Sequence, residues 1–237
     1  MEKDLTIVIP CFNEAKSLPI IIEKCLKLIS NKHIFVVLVN NGSNDETASV
    51  LEKIKDKHNN LSIVNVKNNL GYGNGILMGL EKANTKYVGW THADLQTDIL
   101  DLENAYIELN KYAFEDIYIK GKRIGRSFFD NIFTIGMSFF ETLIFRSLLW
   151  EINAQPTILP RIEYLNWVNP PTDFSLDLFS YVNAKKSKLR IIRLKVYFPP
   201  RKFGTSSWNT SIGAKLKFIK RTLSYSFKLM RSINVNY

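Results

Sequence analysis

The sequence predicts an α/β fold built on a mostly parallel sheet, and three observations carry that expectation. Short β-branched runs alternate with amphipathic segments through the first half of the 237 residues. Polar, often glycine-bearing clusters follow several of the runs directly. The apolar fraction of 46% is ample for a core, which excludes disordered and collagen-like classes. Strand–helix alternation on this scale produces a parallel sheet with right-handed crossovers, and its ligand crevice lies beyond the carboxyl ends of the strands.

Taken in order, residues 5–10 (LTIVIP) and 33–39 (HIFVVLV) are continuous apolar runs bounded by turn residues, as buried strands are. Between them, residues 15–29 carry Leu18, Ile21, Ile22, Cys25, Leu28 and Ile29 at helical spacing. Asn44-Asp45 caps a helix running to about residue 57, 61–66 is a third strand and 75–83 a short helix. A fourth strand at 87–90, a helix at 100–109 and a fifth strand at 117–119 follow.

The second half breaks this rhythm. Residues 127–150 are apolar and aromatic, but Asp130, Glu141 and Arg146 interrupt them. The longest uncharged run is about half of the ~20 residues that span a bilayer, so a buried or interfacial helix is expected. A loop with Pro156, Pro160, Pro170 and Pro171 leads to a helix at 174–184 and a strand at 189–198. Residues 211–232 form an amphipathic helix with Ile212, Leu216, Ile219, Leu223, Phe227 and Met230 as its apolar stripe. The expected division is a main domain over 1–208, with a donor-binding half (1–120) and an acceptor-side half (121–208), followed by this helix in 209–237.

Charge follows the same division. After Asp177 come 14 Lys and Arg without a carboxylate, leaving 18 bases against 22 acids before it, a net of −4. A basic tail on a mildly acidic domain points to a polyanionic partner, an anionic membrane or nucleic acid; a basic amphipathic helix suits the first, and no nucleic-acid motif supports the second. A solvated charged face is the alternative. Two cysteines, Cys11 and Cys25, form neither a disulfide framework nor a metal cluster, and the N-terminus shows no signal-peptide pattern; a cytoplasmic setting is expected.

Four clusters after strands carry the chemistry. Pro10-Cys11-Phe12-Asn13-Glu14 offers a ring and a carboxylate to a nucleoside; alone, it reads equally as a strand–helix turn. Asn40-Asn41-Gly42-Ser43-Asn44-Asp45 offers amides to base edges, or is a plain turn. Asn68 to Gly75 contains Gly71 and Gly73, which would let phosphate approach backbone N–H groups. Its spacing is neither the dinucleotide fingerprint nor a P-loop. In Thr91-His92-Ala93-Asp94-Leu95-Gln96-Thr97-Asp98, alternation places His92, Asp94 and Gln96 on one face of an extended segment. Asp94 with oxygen neighbours suits Mg²⁺ or Mn²⁺ bridging substrate phosphates, although a lone Asp after a strand is also an ordinary helix cap.

Together, IVIPCFNE, VNNGSNDET, NLGYGNGILMGLEKA and THADLQTD resemble, in order and spacing, family 2 glycosyltransferases of the GT-A fold, especially polyprenol-phosphate (dolichol-phosphate) sugar transferases. The resemblance is strong over residues 4–100 and looser to Trp208. It implies that Pro10, Phe12, Glu14 and Asn41 bind the nucleoside and that Asp94 and Gln96 hold a metal at the diphosphate; His92, where the family has an Asp, would bond a ribose hydroxyl or join the metal site. It further implies that Lys120-Gly121-Lys122-Arg123 forms a basic loop facing the donor diphosphate and that Arg201, in Arg201-Lys202-Phe203-Gly204-Thr205-Ser206, lies near the reaction centre. Asn153-Ala154-Gln155-Pro156 matches a loop beneath the acceptor. The implied reaction is inverting displacement of a nucleoside diphosphate by a lipid phosphate or a glycan. A glycan hydroxyl would need a base, for which Asp173 and Asp177, four apart on one helix face, are the candidates.

Two departures matter: the family's Asp-Asp-Gly-Ser is Asn40-Asn41-Gly42-Ser43, and the first Asp of its metal motif is His92. Amides in place of acceptor carboxylates open the question of base preference. The rival expectations are a nucleotidyltransferase of similar fold, for which the N-terminal glycine-rich Lys/Arg loop is missing, and a degenerate protein that only binds nucleotides or polyanions.

Overall fold

The structure, a computed structural model, describes residues 4–113, 116–125, 128–199 and 212–235. Its elements run β1 (Leu5–Cys11), α1 (Leu18–Leu28), β2 (Ile34–Asn41), α2 (Thr47–Glu52), β3 (Leu61–Val66), α3 (Tyr72–Leu80), β4 (Tyr87–Trp90), α4 (Asp101–Lys111) and β5 (Ile117–Ile124). The chain continues through α5 (Phe128–Phe145), β6 (Thr157–Pro160), α6 (Arg161–Leu165), α7 (Leu176–Lys186), β7 (Arg190–Tyr197) and α8 (Ile212–Val235).

The strands form one sheet in the order β3-β2-β1-β4-β6-β5-β7. All pairings are parallel except those of β6, which runs against both β4 and β5. The chain moves outward from β1 to β3 and then returns to place β4 on the other side of β1. That reversal opens a crevice beyond the ends of β1 and β4.

Strand residues alternate between the sheet's two faces, so each face has its own apolar layer. Ile7, Ile9, Val36 and Leu38 pack with Leu18, Ile21 and Leu28 of α1 and Leu102, Ala105 and Leu109 of α4. Val8, Val37, Val39 and Val88 face Ile76 and Leu80 of α3 and Leu176, Phe179 and Val182 of α7. Burying each such side chain stabilises the fold by about 1.5–3 kcal/mol.

Four differences from the expected elements have local causes. β6 lies in what reads as a proline-flanked loop: its four residues, Thr157 to Pro160, are too few to show a period. α2 ends at Glu52 because beyond Leu51 only Ile54 supplies apolar surface before the run of Lys and Asp, and Asp56 turns with φ +58°. β5 continues five residues past its expected end, so Lys120 to Arg123 are strand residues and not a loop. Finally, α7 begins at Leu176, so Asp173 precedes the helix while Asp177 lies in its first turn, and the two carboxylates do not share a helical face.

Among the described residues no helix is long and apolar enough to cross a membrane. α5 is two-sided: Ser138 and Glu141 are buried, while Ile135, Phe139 and Leu143 are exposed at four-residue steps. α8 packs against α5 through Ser226, whose hydroxyl donates to Glu141 Oε1 at 2.7 Å, and through buried Leu229. The side it turns inward carries Ser226 and Leu229, and Phe227 stays exposed, edge-on to Phe140.

Candidate active site

The loops after β1 and β2 are stitched into one surface. Asn13, with φ +55°, accepts a hydrogen bond from Asn44 N at 2.9 Å through Oδ1, and its own N–H donates to Ser43 Oγ at 3.1 Å. Glu14 N donates to Thr47 Oγ1 at 2.9 Å, and the Glu14 carboxylate accepts from Ser17 Oγ. Phe12 stands exposed beside them, with Pro10 at the strand end.

Asn40 and Asn41, the two departures from the family's carboxylates, have defined tasks. Asn40 accepts from Ser43 N at 3.1 Å and donates to Asn65 Oδ1 at 3.1 Å. Asn41, 2% exposed, donates through Nδ2 to the Gly71 carbonyl at 2.9 Å. A carboxylate could not donate there, so the amide ties the end of β2 to the entry of α3. Oδ1 of Asn41 is buried without a hydrogen-bond partner.

Gly71 and Gly73 stand where another backbone segment passes close by. A Cβ on Gly71 would lie 2.4 Å from the Thr172 carbonyl oxygen, and one on Gly73 would lie 2.7 Å from the carbonyl oxygens of both Asp173 and Pro171. Gly71 has φ +118°, and its N–H donates to Asn69 Oδ1 at 2.9 Å, while Asn74 N donates to the Thr172 carbonyl at 2.8 Å. The glycines therefore admit the 171–173 backbone.

After β4, Asp94 Oδ1 accepts from Gln96 N at 3.0 Å around Leu95, which has φ +59°. Gln96 Nε2 reaches the Pro199 carbonyl at 3.4 Å. His92 lies against Tyr72, with ring centroids 5.2 Å apart, and Tyr72 stacks on Phe174 at 4.7 Å and 12°. Burial first, then the nearby carboxylates of Asp177 and Asp94, push the Tyr72 phenol well above its ordinary range. Tyr72 thus links the β4 loop, α3 and the segment before α7.

Beneath this stack lies a buried polar network absent from the expected site. Asp177 Oδ1 accepts from Gln155 Nε2 at 2.8 Å, Lys120 Nζ at 3.1 Å and Trp90 Nε1 at 3.2 Å. Gln155 Nε2 also reaches Tyr72 Oη at 3.2 Å, and Lys120 donates to Thr157 Oγ1 at 2.6 Å. Burial pulls the Lys120 ammonium down to about 8 despite the Asp177 carboxylate. Gly121 allows the approach: its Cβ would fall 2.0 Å from the Gln155 carbonyl oxygen. Asp177 is accordingly a buried partner of Lys120 and Gln155.

Arg123 and Glu151 form a second cluster. The Glu151 carboxylate accepts from Arg123 N at 3.2 Å and Nε at 3.2 Å and from Arg193 Nη2 at 3.3 Å, and Arg123 stacks over Phe198 at 5.3 Å. Two guanidinium groups share one carboxylate, leaving a net positive charge at the end of β5. Asp173 precedes α7, with Oδ1 accepting from Ser175 N at 2.9 Å and Oδ2 3.3 Å from Arg221 Nε of α8. Arg201 lies outside the described residues.

Asp94 is 8% exposed, Gln96 adds an amide oxygen and His92 a ring nitrogen, and no group of three or more His, Cys, Asp or Glu is found among the described residues. One carboxylate with neutral neighbours fits Mg²⁺ or Mn²⁺ completed by substrate phosphates, the usual way such ions are held, and does not fit an all-protein cage.

A family model described as Glycosyl transferase family 2 matches residues 6–164. A dolichyl-phosphate beta-glucosyltransferase of Trichomonas vaginalis is 28% identical over 150 residues, 56% of this chain and 46% of that protein. An undecaprenyl-phosphate 4-deoxy-4-formamido-L-arabinose transferase of Pectobacterium atrosepticum is 35% identical over 97 residues, 40% of this chain and 30% of that protein. The matched segments thus span about half or less of these relatives. Among solved structures, glucosyl-3-phosphoglycerate synthase of Mycobacterium tuberculosis, in complex with Mn²⁺, UDP-glucose and phosphoglyceric acid, superposes with a TM-score of 0.72 at 10% identity, covering 96% of this chain and 80% of that one.

Proposed function

The chain belongs to glycosyl transferase family 2, and from that premise we propose that it moves a sugar from a nucleotide-diphosphate sugar to a lipid phosphate at the cytoplasmic face of a membrane, with inversion. The observation that carries this reading is the Asp94 carboxylate, set at the crevice between β1 and β4 and linked by Tyr72 to the opposite wall.

Each part then has a chemical task. Phe12 and Pro10 supply a surface for the nucleoside and Glu14 an acceptor for its donors, on a loop held by Asn13 and Thr47. Asp94 and Gln96 would hold Mg²⁺ or Mn²⁺, whose contribution when bound is to neutralise the departing diphosphate. Arg123, held by Glu151, adds positive charge on the diphosphate side. Arg201 is the proposed partner near the reaction centre.

Acceptor chemistry follows from the carboxylates. Asp177 is committed to Lys120 and Gln155 and is 1% exposed, so it is poorly placed as a general base. A phosphate monoester needs none: its second pKa of about 6 leaves it ionised at neutral pH. The relatives' names, which pair dolichyl and undecaprenyl phosphates with sugars, support the same acceptor class. Membrane association is supported by exposed Ile135, Phe139 and Leu143 on α5 beside exposed Lys220, Lys228 and Arg231 on α8.

A thermal-shift panel of UDP, GDP, CDP and ADP, each with and without Mn²⁺, tests the reading. One diphosphate should stabilise the protein in a Mn²⁺-dependent way. Asp94→Ala should abolish the shift and lower turnover of the matching nucleotide-sugar by about 100–1,000-fold, the range for removing a preorganised charge-stabilising group. No response to any diphosphate would overturn it.

A further inference from the structure

Among the described residues, Arg221 brings the C-terminal helix to the proposed acceptor side of the site. Arg221 Nε lies 3.3 Å from Asp173 Oδ2, and its guanidinium carbon is 5.9 Å from the centre of the Phe174 ring. Five residues on, one turn and a half along the same helix, Ser226 and Glu141 anchor α8 to α5. Arg221 is therefore carried by a helix whose seat lies outside the crevice while its side chain reaches the crevice wall.

What Arg221 grips is rigidly joined to the site. Asp173 is fixed through its other oxygen to Ser175 N, and its backbone fills the space beside Gly73. Thr172 accepts from Asn74 N at 2.8 Å, and Phe174 stacks on Tyr72, which in turn lies on His92. A displacement of the 172–174 segment would thus move Phe174 and the wall it forms with Tyr72, while Asp94 keeps its own local bond to Gln96 N.

We infer that Arg221 is a positioning residue that clamps the Asp173–Phe174 segment against Tyr72, so that seating of the basic helix α8 is read out as competence of the acceptor side. This rests on the glycosyltransferase reading above for what competence means. The clamp is half exposed, 47% at Arg221 and 32% at Asp173, which keeps it exchangeable. Seating α8 on an anionic surface through Lys220, Lys228 and Arg231 places Arg221 over Asp173, whereas lifting the helix removes the clamp without touching the β1 and β2 loops that serve the donor.

The test uses the full chain, the nucleotide-sugar matching the diphosphate that stabilises it, and farnesyl phosphate as a water-soluble acceptor. Arg221→Ala should impair acceptor kinetics (KM raised or kcat lowered) about fivefold, the upper end for a half-exposed ion pair with a stacked cation. Diphosphate affinity should stay within twofold. Arg221→Lys should recover part of the loss, and Asp173→Asn, which keeps an acceptor for Ser175 N but removes the charge, should impair acceptor kinetics in the wild type and add no more than twofold in an Arg221→Ala background. Unchanged acceptor kinetics in Arg221→Ala, equal losses in donor and acceptor constants, or fully additive losses in the double variant would each overturn the clamp.

Hydrogen exchange keeps the clamp separable from the chemistry. Arg221→Ala should speed exchange of the Asn74 and Ser175 amides, which bond to Thr172 and Asp173, while amides of β1 and β2 stay protected. If the wild type binds a diphosphate but turns over no farnesyl phosphate, the acceptor assignment fails and the exchange result alone decides the clamp: equal exchange in both proteins overturns it.

Discussion

β1 to β4 and the elements from β5 onward build opposite walls of one crevice by different means. On the first wall, every site residue follows its own strand within a few positions: Phe12 and Glu14 after β1, Asn41 at the end of β2, Asp94 after β4. The polar contacts there are short-range stitches between neighbouring loops, such as Asn13 to Asn44 and Asp94 to Gln96. The second wall is assembled from distant segments. Lys120, Gln155, Thr157 and Asp177 come from β5, the segment before β6, β6 itself and α7, and they converge on one buried carboxylate oxygen. A wall of local turns tolerates change at each position separately, whereas a wall hung on one ion pair stands or falls as a unit.

The largest effect should come from breaking that ion pair. Lys120→Met strands the Asp177 carboxylate in a site that is 1% exposed. Removing one member of a buried pair typically costs about 3–5 kcal/mol, because the other charge is left uncompensated. Urea unfolding of Lys120→Met should show a loss of that size, and replacing Asp177 by Leu in the same protein should recover much of it. A loss below about 1 kcal/mol for the single change would mean that the second wall does not depend on this pair.

The same contrast explains what could be read from the residues alone. Short β-rich runs bounded by turn residues marked β1 to β4, and the clusters that follow them put Phe12, Asn41 and Asp94 at or just past the ends of β1, β2 and β4, where the structure also has them. The Lys120–Asp177 network could not be found that way. Lys120 looks like one member of a basic tetrad, Asp177 like a helix charge, and only the reversed strand β6 brings Thr157 and Gln155 between them. A partial signal for β6 exists in Gly89 and Gly121, each of which admits backbone from residues 155–157, but a glycine does not name the segment it admits. Tyr72 was overlooked for a related reason: read within a glycine cluster, it passed for a loop residue, whereas it is the first residue of α3 and the ring that joins both walls. The apolar stripe of α8 likewise carries no sign that Ser226 meets a buried acid on α5.

That buried acid gives a pH-dependent prediction confined to the second wall. Glu141 is fully buried between α5 and α8, with Oε1 held by Ser226 and Oε2 unpartnered, and burial raises its carboxyl from 4.5 to about 7. The folded protein therefore holds this proton more tightly than the unfolded chain does. The group's contribution to stability is fully present below about pH 4.5 and is lost as pH rises through about 7. The loss is bounded at about 3 kcal/mol by the size of the shift. Glu141→Gln, which stays neutral and keeps an acceptor for Ser226, should be more stable than the wild type at pH 8 and indistinguishable from it at pH 4.5. Equal pH dependence of the two unfolding curves would remove Glu141 as the source.

The smallest of these effects probes the first wall and turns on Asn41. By resemblance, Asp is the expected residue there, so Asn41→Asp would seem to restore a better nucleoside site. The geometry predicts the opposite for stability. Nδ2 of Asn41 is the donor to the Gly71 carbonyl at 2.9 Å, and the side chain sits in a gap left by Gly75, whose Cβ would lie 2.8 Å from Asn41 Cγ. A carboxylate in that slot would face a carbonyl oxygen with no proton to share, and the slot is too closed for water to intervene. The substitution should cost about 1–2 kcal/mol in urea unfolding, in line with leaving a buried polar group unsatisfied. Protonation of the new carboxyl would restore the donor, so the deficit should shrink as pH falls toward 4. Because the contact joins β2 to α3 and not to the second wall, Lys120→Met and Asn41→Asp should add within about 0.5 kcal/mol when combined, as independent sites do. A combined loss clearly different from that total would show that the two walls are energetically coupled through Tyr72.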